Sequence, residues 1–105
     1  MNEQIIEELF NILTQRKKSS EKKSYTSHLI KNPELLAKKI GEESSELIID
    51  FIKNNKEGAI KESADLLYHL CVMWISADTL PSDVWNELHR RKGKSGIQEK
   101  KERLS

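Results

Sequence analysis

The sequence predicts an all-α protein: a helical bundle of four to five helices, completed by dimerisation, in one domain spanning residues 1–105. Three observations predict it. Apolar residues recur at three- and four-residue spacing, and no alternating strand pattern is convincing. Two prolines and four glycines are few for a small β-sandwich or barrel with frequent turns. Apolar residues at 36% and charged residues at 33% fit a helix-rich chain with a wide solvated surface.

The first helix is expected from about Asn2 to Lys18, with Ile5, Ile6, Leu9, Phe10 and Leu13 on one face. Arg16, Lys17 and Lys18 close it, where cations suit the carbonyl end of the dipole. Ser19 to Ser24 reads as a polar loop with mobile Lys22 and Lys23, and Tyr25 to Ile30 as a short turn or helix. Asn32-Pro33-Glu34 starts the next helix: Asn32 can cap, and Pro33 lacks an N–H that the first turn would leave unpaired. That helix runs to about Lys53, Asn54-Asn55 connects, and another helix covers roughly Lys56 to Ala77. Thr79 to Pro81 restarts a shorter helix that ends near Arg91. Gly93 and Gly96 break the chain after it, leaving Ile97 to Ser105 as a charged tail with partial helix.

Composition removes several classes of function. Eighteen Lys and Arg against 17 Asp and Glu leave a net charge of +1, so the chain is not a strongly basic nucleic-acid binder. Its single cysteine, Cys71, excludes an internal disulfide framework and a thiolate-rich zinc site, and fits a cytoplasmic setting. Met1-Asn2-Glu3-Gln4 begins no secretory signal, and the apolar run from Leu66 to Ala77 is too short to cross a membrane.

The chemistry is expected on two helices, one carrying Glu42, Glu43, Glu46 and Asp50, the next Glu62, Asp65 and His69. Carboxylates on helices are usually solvated. Here a turn of about 100° per residue sets Glu43 and Glu46 beside the apolar face defined by Leu36, Ile40, Leu47 and Phe51, with Glu42 further round towards solvent. The following helix is apolar nearly all round, yet Glu62, Asp65 and His69 interrupt it on one side. Helices joined by a short connection pack antiparallel, so Glu43 and Glu46 would face Glu62 and Asp65. Four carboxylates without a matching arginine need cations, and hard oxygen ligands favour Mg²⁺, with Mn²⁺ next. Mg²⁺ commonly carries phosphates, which points to a phosphate ester or anhydride as substrate.

Lys39-Ile40-Gly41-Glu42-Glu43-Ser44-Ser45-Glu46 followed by Glu62-Ser63-Ala64-Asp65 resembles the E-E-x-x-E … E-x-x-D signature of the all-α, MazG-like nucleoside triphosphate pyrophosphatases. Within that superfamily the chain is most similar to the phosphoribosyl-ATP pyrophosphatases of histidine biosynthesis. Ser24-Tyr25-Thr26, then Asp65-Leu66-Leu67-Tyr68-His69-Leu70, then Arg90-Arg91-Lys92-Gly93-Lys94-Ser95-Gly96 carry that closer match. The resemblance spans about Ile5 to Lys100.

It implies hydrolysis of 1-(5-phosphoribosyl)-ATP to 1-(5-phosphoribosyl)-AMP and pyrophosphate, dependence on Mg²⁺, a helical homodimer, and the form without a cyclohydrolase domain. Glu43, Glu46, Glu62 and Asp65 match the family's metal-binding, catalytic carboxylates. Glu42 is a fifth candidate that either orients water or stands exposed. Lys39 reaches a phosphate or is a solvated lysine; Arg90, Arg91 and Lys94 grip phosphates or simply close a helix. Ser24 meets phosphate or caps a turn, and Tyr25 stacks on a base or packs in the core, the second being the more ordinary fate of such a ring. His69 is expected to be a hydrogen-bonded core residue, Cys71 a buried and unreactive thiol, and Trp74, Trp85 and Met73 core or interface.

Three other readings predict different behaviour. A MazG-like housecleaning pyrophosphatase would share the metal site and accept ordinary nucleoside triphosphates. A di-iron bundle would need Glu-x-x-His pairs, and no histidine follows Glu43 or Glu62 by three residues. A non-catalytic helical interaction module would leave the acidic stripe exposed and bind no Mg²⁺. For the dimer, the interface is expected on the apolar helix around Leu70 and on the Ile5 to Leu13 face.

Overall fold

Helical periodicity is realised in helices throughout the described residues. The computed structural model describes residues 4–20, 24–94 and 96–104, and among these it contains six helices and no strand. They are α1 (Ile5–Arg16), α2 (Tyr25–Lys31), α3 (Pro33–Ile52), α4 (Lys56–Ser76), α5 (Pro81–Arg91) and α6 (Gly96–Leu104). The sixth corrects the expected four to five: the charged tail is a helix in its own right, begun at Gly96 once Gly93 has turned the chain with a φ of 87°. The expected start at Asn2, the lysines at 22 and 23, and Ser95 lie outside the described residues.

Caps explain most boundaries. The Ser24 hydroxyl accepts the Ser27 N–H at 3.2 Å and starts α2. Pro33 opens α3 as expected, but Asn32 does not cap it. Its Nδ2 donates instead to the His28 carbonyl at 2.6 Å, closing the helix behind it. At α5 the Asp83 carboxylate accepts the Leu80 N–H at 2.8 Å.

The core gathers Phe10 and Leu13 of α1, Leu29 of α2, Leu36 of α3, and Cys71, Val72 and Ile75 of α4. Cys71 is fully buried, and burial followed by the charge of Glu7 pushes its thiol up, which keeps it unreactive. Trp74 and Trp85 meet edge to face with centroids 6.1 Å apart, and the Trp85 indole donates to the Glu7 carboxylate at 2.8 Å. These contacts fasten α5 to α1 and to the C-terminal half of α4.

One expected apolar face is corrected. Phe51 does not join the α3 core face; it is 72% exposed, because the core lies under the other half of the helix, at Leu36. Phe10 and Leu13 of α1 are buried in the chain's own core, while Ile5 and Ile12 stay exposed and Ile6 and Leu9 are half-buried. No helix among the described residues is long and apolar enough to cross a membrane.

Candidate metal and active site

The longest two helices, α3 and α4, form the most extensive pairing in the molecule, and residues 53–55 turn one back along the other. Glu46 and Glu62 lie eight residues before and after Asn54, and Glu43 and Asp65 eleven residues before and after it. In an antiparallel hairpin, equal separations from the turn mean equal heights, about 12 Å and about 16 Å along the axis. The turn fixes that register. Asn54 takes the left-handed conformation with a φ of 58°. The Asn55 side chain accepts the Gly58 N–H at 3.0 Å and donates to the Asp50 carboxylate at 3.3 Å. Gly58 leaves room for that bond, since a Cβ there would stand 2.6 Å from Asn55 Nδ2 and 2.7 Å from Asp50 Oδ2 and would push the two side-chain ends aside.

Across these two levels, one carboxylate oxygen each from Glu43, Glu62 and Asp65 lie within 4.8 Å of one another. Glu43 and Glu62 are half-buried, and Asp65 is exposed. Glu62 Oε2 is buried without a hydrogen-bond partner. Interaction with the Glu43 carboxyl, and then burial, raises the Glu62 carboxyl above its ordinary value. Glu46 is raised too, by a hydrogen bond with the Glu62 carboxyl and then by that residue's charge. Among the described residues no ion pair joins a lysine or arginine to any of these four, so their negative charge is not offset by the chain. An orphaned buried carboxylate oxygen among like charges is a donor set suited to a hard divalent cation.

The remaining sequence candidates fall in several places. Glu42 turns from the cluster to Lys39, with N···O 3.9 Å, so these two occupy each other on the outer face of α3. Arg90 and Arg91 grip Glu87 at 2.7 Å and 2.8 Å, and Lys94 grips Glu102 at 2.7 Å. Arg90 and Arg91 are carried by α5, which rests on α1 and the C-terminal half of α4, and Lys94 follows it. Ser24 is the buried cap of α2. Tyr25 is not a core ring: it is 49% exposed, parallel to Tyr68 with centroids 6.3 Å apart. His69 is buried as expected, and its Nδ1 donates to the Asp65 carbonyl at 2.9 Å. A carbonyl only accepts, so Nδ1 carries the proton.

Tyr68 is named by the sequence only as part of a motif. Its signal is its place, three residues after Asp65, where a helix brings side chains to nearly the same side.

A family model described as phosphoribosyl-ATP pyrophosphohydrolase matches residues 6–92. A protein of Paramagnetospirillum magneticum named phosphoribosyl-ATP pyrophosphatase is 43% identical over 100 residues, covering 94% of this chain and 92% of the relative. Proteins of the same name from Paracoccus denitrificans and Azospirillum brasilense are 46% and 39% identical, covering 90% and 96% of this chain and 89% and 92% of their own.

Proposed function

The chain belongs to the phosphoribosyl-ATP pyrophosphohydrolase family, and from that premise we propose that it hydrolyses 1-(5-phosphoribosyl)-ATP to 1-(5-phosphoribosyl)-AMP and pyrophosphate, the second step of histidine biosynthesis. The observation that carries the reading is the set of three carboxylate oxygens within 4.8 Å, one of whose carboxylates also holds a buried, unpartnered oxygen. Glu43, Glu62 and Asp65, with Glu46 beside Glu62, would hold Mg²⁺ or Mn²⁺. A divalent cation there would supply an acidified water and a counter-charge for the leaving pyrophosphate. The water oxygen joins the α-phosphorus as the bond to the α–β bridging oxygen breaks. Glu46, beside Glu62, would take the proton that the water gives up.

Lys39, Arg90, Arg91 and Lys94 are the candidate phosphate contacts. Each holds a carboxylate in this structure, and phosphate oxygens would take that carboxylate's place. The cap bond uses a lone pair of Ser24 and leaves its own hydrogen to donate. Glu42 serves as the partner of Lys39.

A homodimer completes the fold. Ile48, Ile49, Phe51 and Ile52 of α3 and Ile60, Leu67 and Met73 of α4 are exposed, an apolar surface that a second copy would cover. Light scattering at micromolar concentration should give twice the chain mass; a sharp monomer would refute the assembly. A cytoplasmic setting is consistent with the buried thiol and the substrate.

The decisive assay is pyrophosphate release from phosphoribosyl-ATP, with and without Mg²⁺, beside dCTP, dUTP and ATP. Fast Mg²⁺-dependent release from phosphoribosyl-ATP alone is expected. Release only from the ordinary triphosphates would keep the carboxylate site and overturn the substrate.

A further inference from the structure

We propose that Tyr25 is the stacking face for the substrate's adenine ring and that Tyr68 is the positioning residue that holds it there. The inference rests on the pyrophosphohydrolase reading and adds what recognises the base.

The chain places an aromatic group immediately beside the carboxylates. Tyr68 follows Asp65 by three residues on α4, a rise of about 4.5 Å on nearly the same side of the helix. Its ring lies parallel to that of Tyr25, with an angle of 8° and centroids 6.3 Å apart. His69 stands edge-on to both rings, 5.0 Å from Tyr68 and 6.3 Å from Tyr25. The Tyr68 hydroxyl is bonded to the Thr26 hydroxyl at 2.8 Å, and Thr26 is 1% exposed. A hydroxyl pair at the buried root of α2 therefore ties that helix to the one carrying Asp65. Tyr25, next in the chain to Thr26, is held at this edge with its own ring half in solvent.

A large exposed aromatic surface held by two ring contacts is not explained by packing, since the core is complete without it. The chemistry that fits is a flat heteroaromatic ring. Stacking is tolerant of base identity and gains from a preorganised platform. With the triphosphate of the substrate at the carboxylates, the adenine lies within a nucleotide's length of them, which is where Tyr25 stands.

The test is steady-state kinetics on the full chain with Mg²⁺, with binding of Mn²⁺ followed by electron paramagnetic resonance as a separate readout. Tyr25→Ala should raise KM for phosphoribosyl-ATP at least tenfold with Mn²⁺ affinity retained, and Tyr25→Phe should restore it to near the wild-type value. Tyr68→Phe keeps the ring and removes the bond to Thr26; it should raise KM about fivefold while kcat falls less than twofold. Thr26→Val cuts the same bond from the other side, should match it, and serves if Tyr68→Phe folds poorly. In the Tyr25→Ala background, Tyr68→Phe should have no further effect, because it acts through Tyr25. An unchanged KM in Tyr25→Ala, an additive double variant, or a Tyr25→Ala whose only change is its mass in light scattering overturns the proposal. The two readings fail separately: an enzyme that ignores phosphoribosyl-ATP and cleaves ATP overturns the substrate assignment, while the same KM pattern on ATP still supports the stacking face.

Discussion

Glu62 and Glu87 are glutamates on helices of one small chain, and their surroundings pull them in opposite directions. Glu62 lies against Glu43, Glu46 and Asp65, and crowding raises its carboxyl. Glu87 lies between Arg90 and Arg91, and their hydrogen bonds lower its carboxyl to about 2. Glu102 is lowered in the same way by Lys94. In the α5–α6 region these carboxylates are held by cations of the same chain. The α3–α4 hairpin leaves one sign of charge uncompensated and partly buried, an arrangement that folding alone does not favour. What separates a site from a surface here is the missing cation, since both regions are rich in carboxylates.

Removing a carboxylate from the hairpin is the strongest way to break the contrast. Glu62→Gln should lower kcat/KM for phosphoribosyl-ATP on the order of a thousandfold, the scale of losing a metal-held transition state. The same variant should fold as well as the wild type or better in EDTA, since it removes like-charge crowding. A near-wild-type rate with intact folding would mean that the four carboxylates are surface charge after all.

Second in size is the turn that keeps the carboxylates level. Asn55→Ala removes the cap on α4 and its bond to Asp50. The loss of the cap should cost about 1 kcal/mol and lower Tm by about 4–8 °C. Circular dichroism melts check this, and an unchanged Tm would show that helix packing alone sets the register.

Much of this hairpin is legible in the sequence. Helix boundaries follow from periodicity, caps and breakers, and that the carboxylates of α3 meet those of α4 follows from the short connection between two helices. Periodicity states which face of a helix is apolar but not what covers it. Hence Phe51, expected on the core face, is exposed, while Phe10 and Leu13 of the α1 face are covered by the chain's own core. Asn32 misleads because a cap residue has two ends, and its amide finds the His28 carbonyl first. The pairing of Lys94 with Glu102 depends on how the chain turns at Gly93, and that of Tyr25 with Tyr68 on how α2 lies against α4. Neither bond leaves a mark in local spacing, so the sequence can nominate the basic residues and Tyr25 without showing what holds them.

The pH dependence of stability sharpens the contrast further. Glu62 and Glu46 bind protons more tightly when folded, so their contribution is fully present below the ordinary value of 4.5 and is lost as pH rises through their raised values. In EDTA, then, Glu62→Gln should gain Tm relative to the wild type between about pH 4.5 and pH 7, and millimolar Mg²⁺ at pH 7 should erase most of that gain by stabilising the wild type. A Tm difference that is flat with pH and indifferent to Mg²⁺ would contradict the crowding.

The smallest effect is expected at Glu87, and its sign is the point. A carboxyl held at about 2 contributes stability above the ordinary value of 4.5, and that contribution is lost as pH falls towards 2. Glu87 is only half-buried and the arginines around it are exposed, so solvent screens most of the attraction. Glu87→Gln should therefore lower Tm at pH 7 by only about 1–3 °C. The deficit should shrink as the wild type is acidified below 4.5, and 1 M salt should shrink it too. Mg²⁺ should leave it unchanged, because the cation has no ligand set at this end. If Mg²⁺ instead moved the Tm difference at Glu87 as it does at Glu62, the two groups of glutamates would not be electrically separate, and the hairpin would lose its claim to be the metal site.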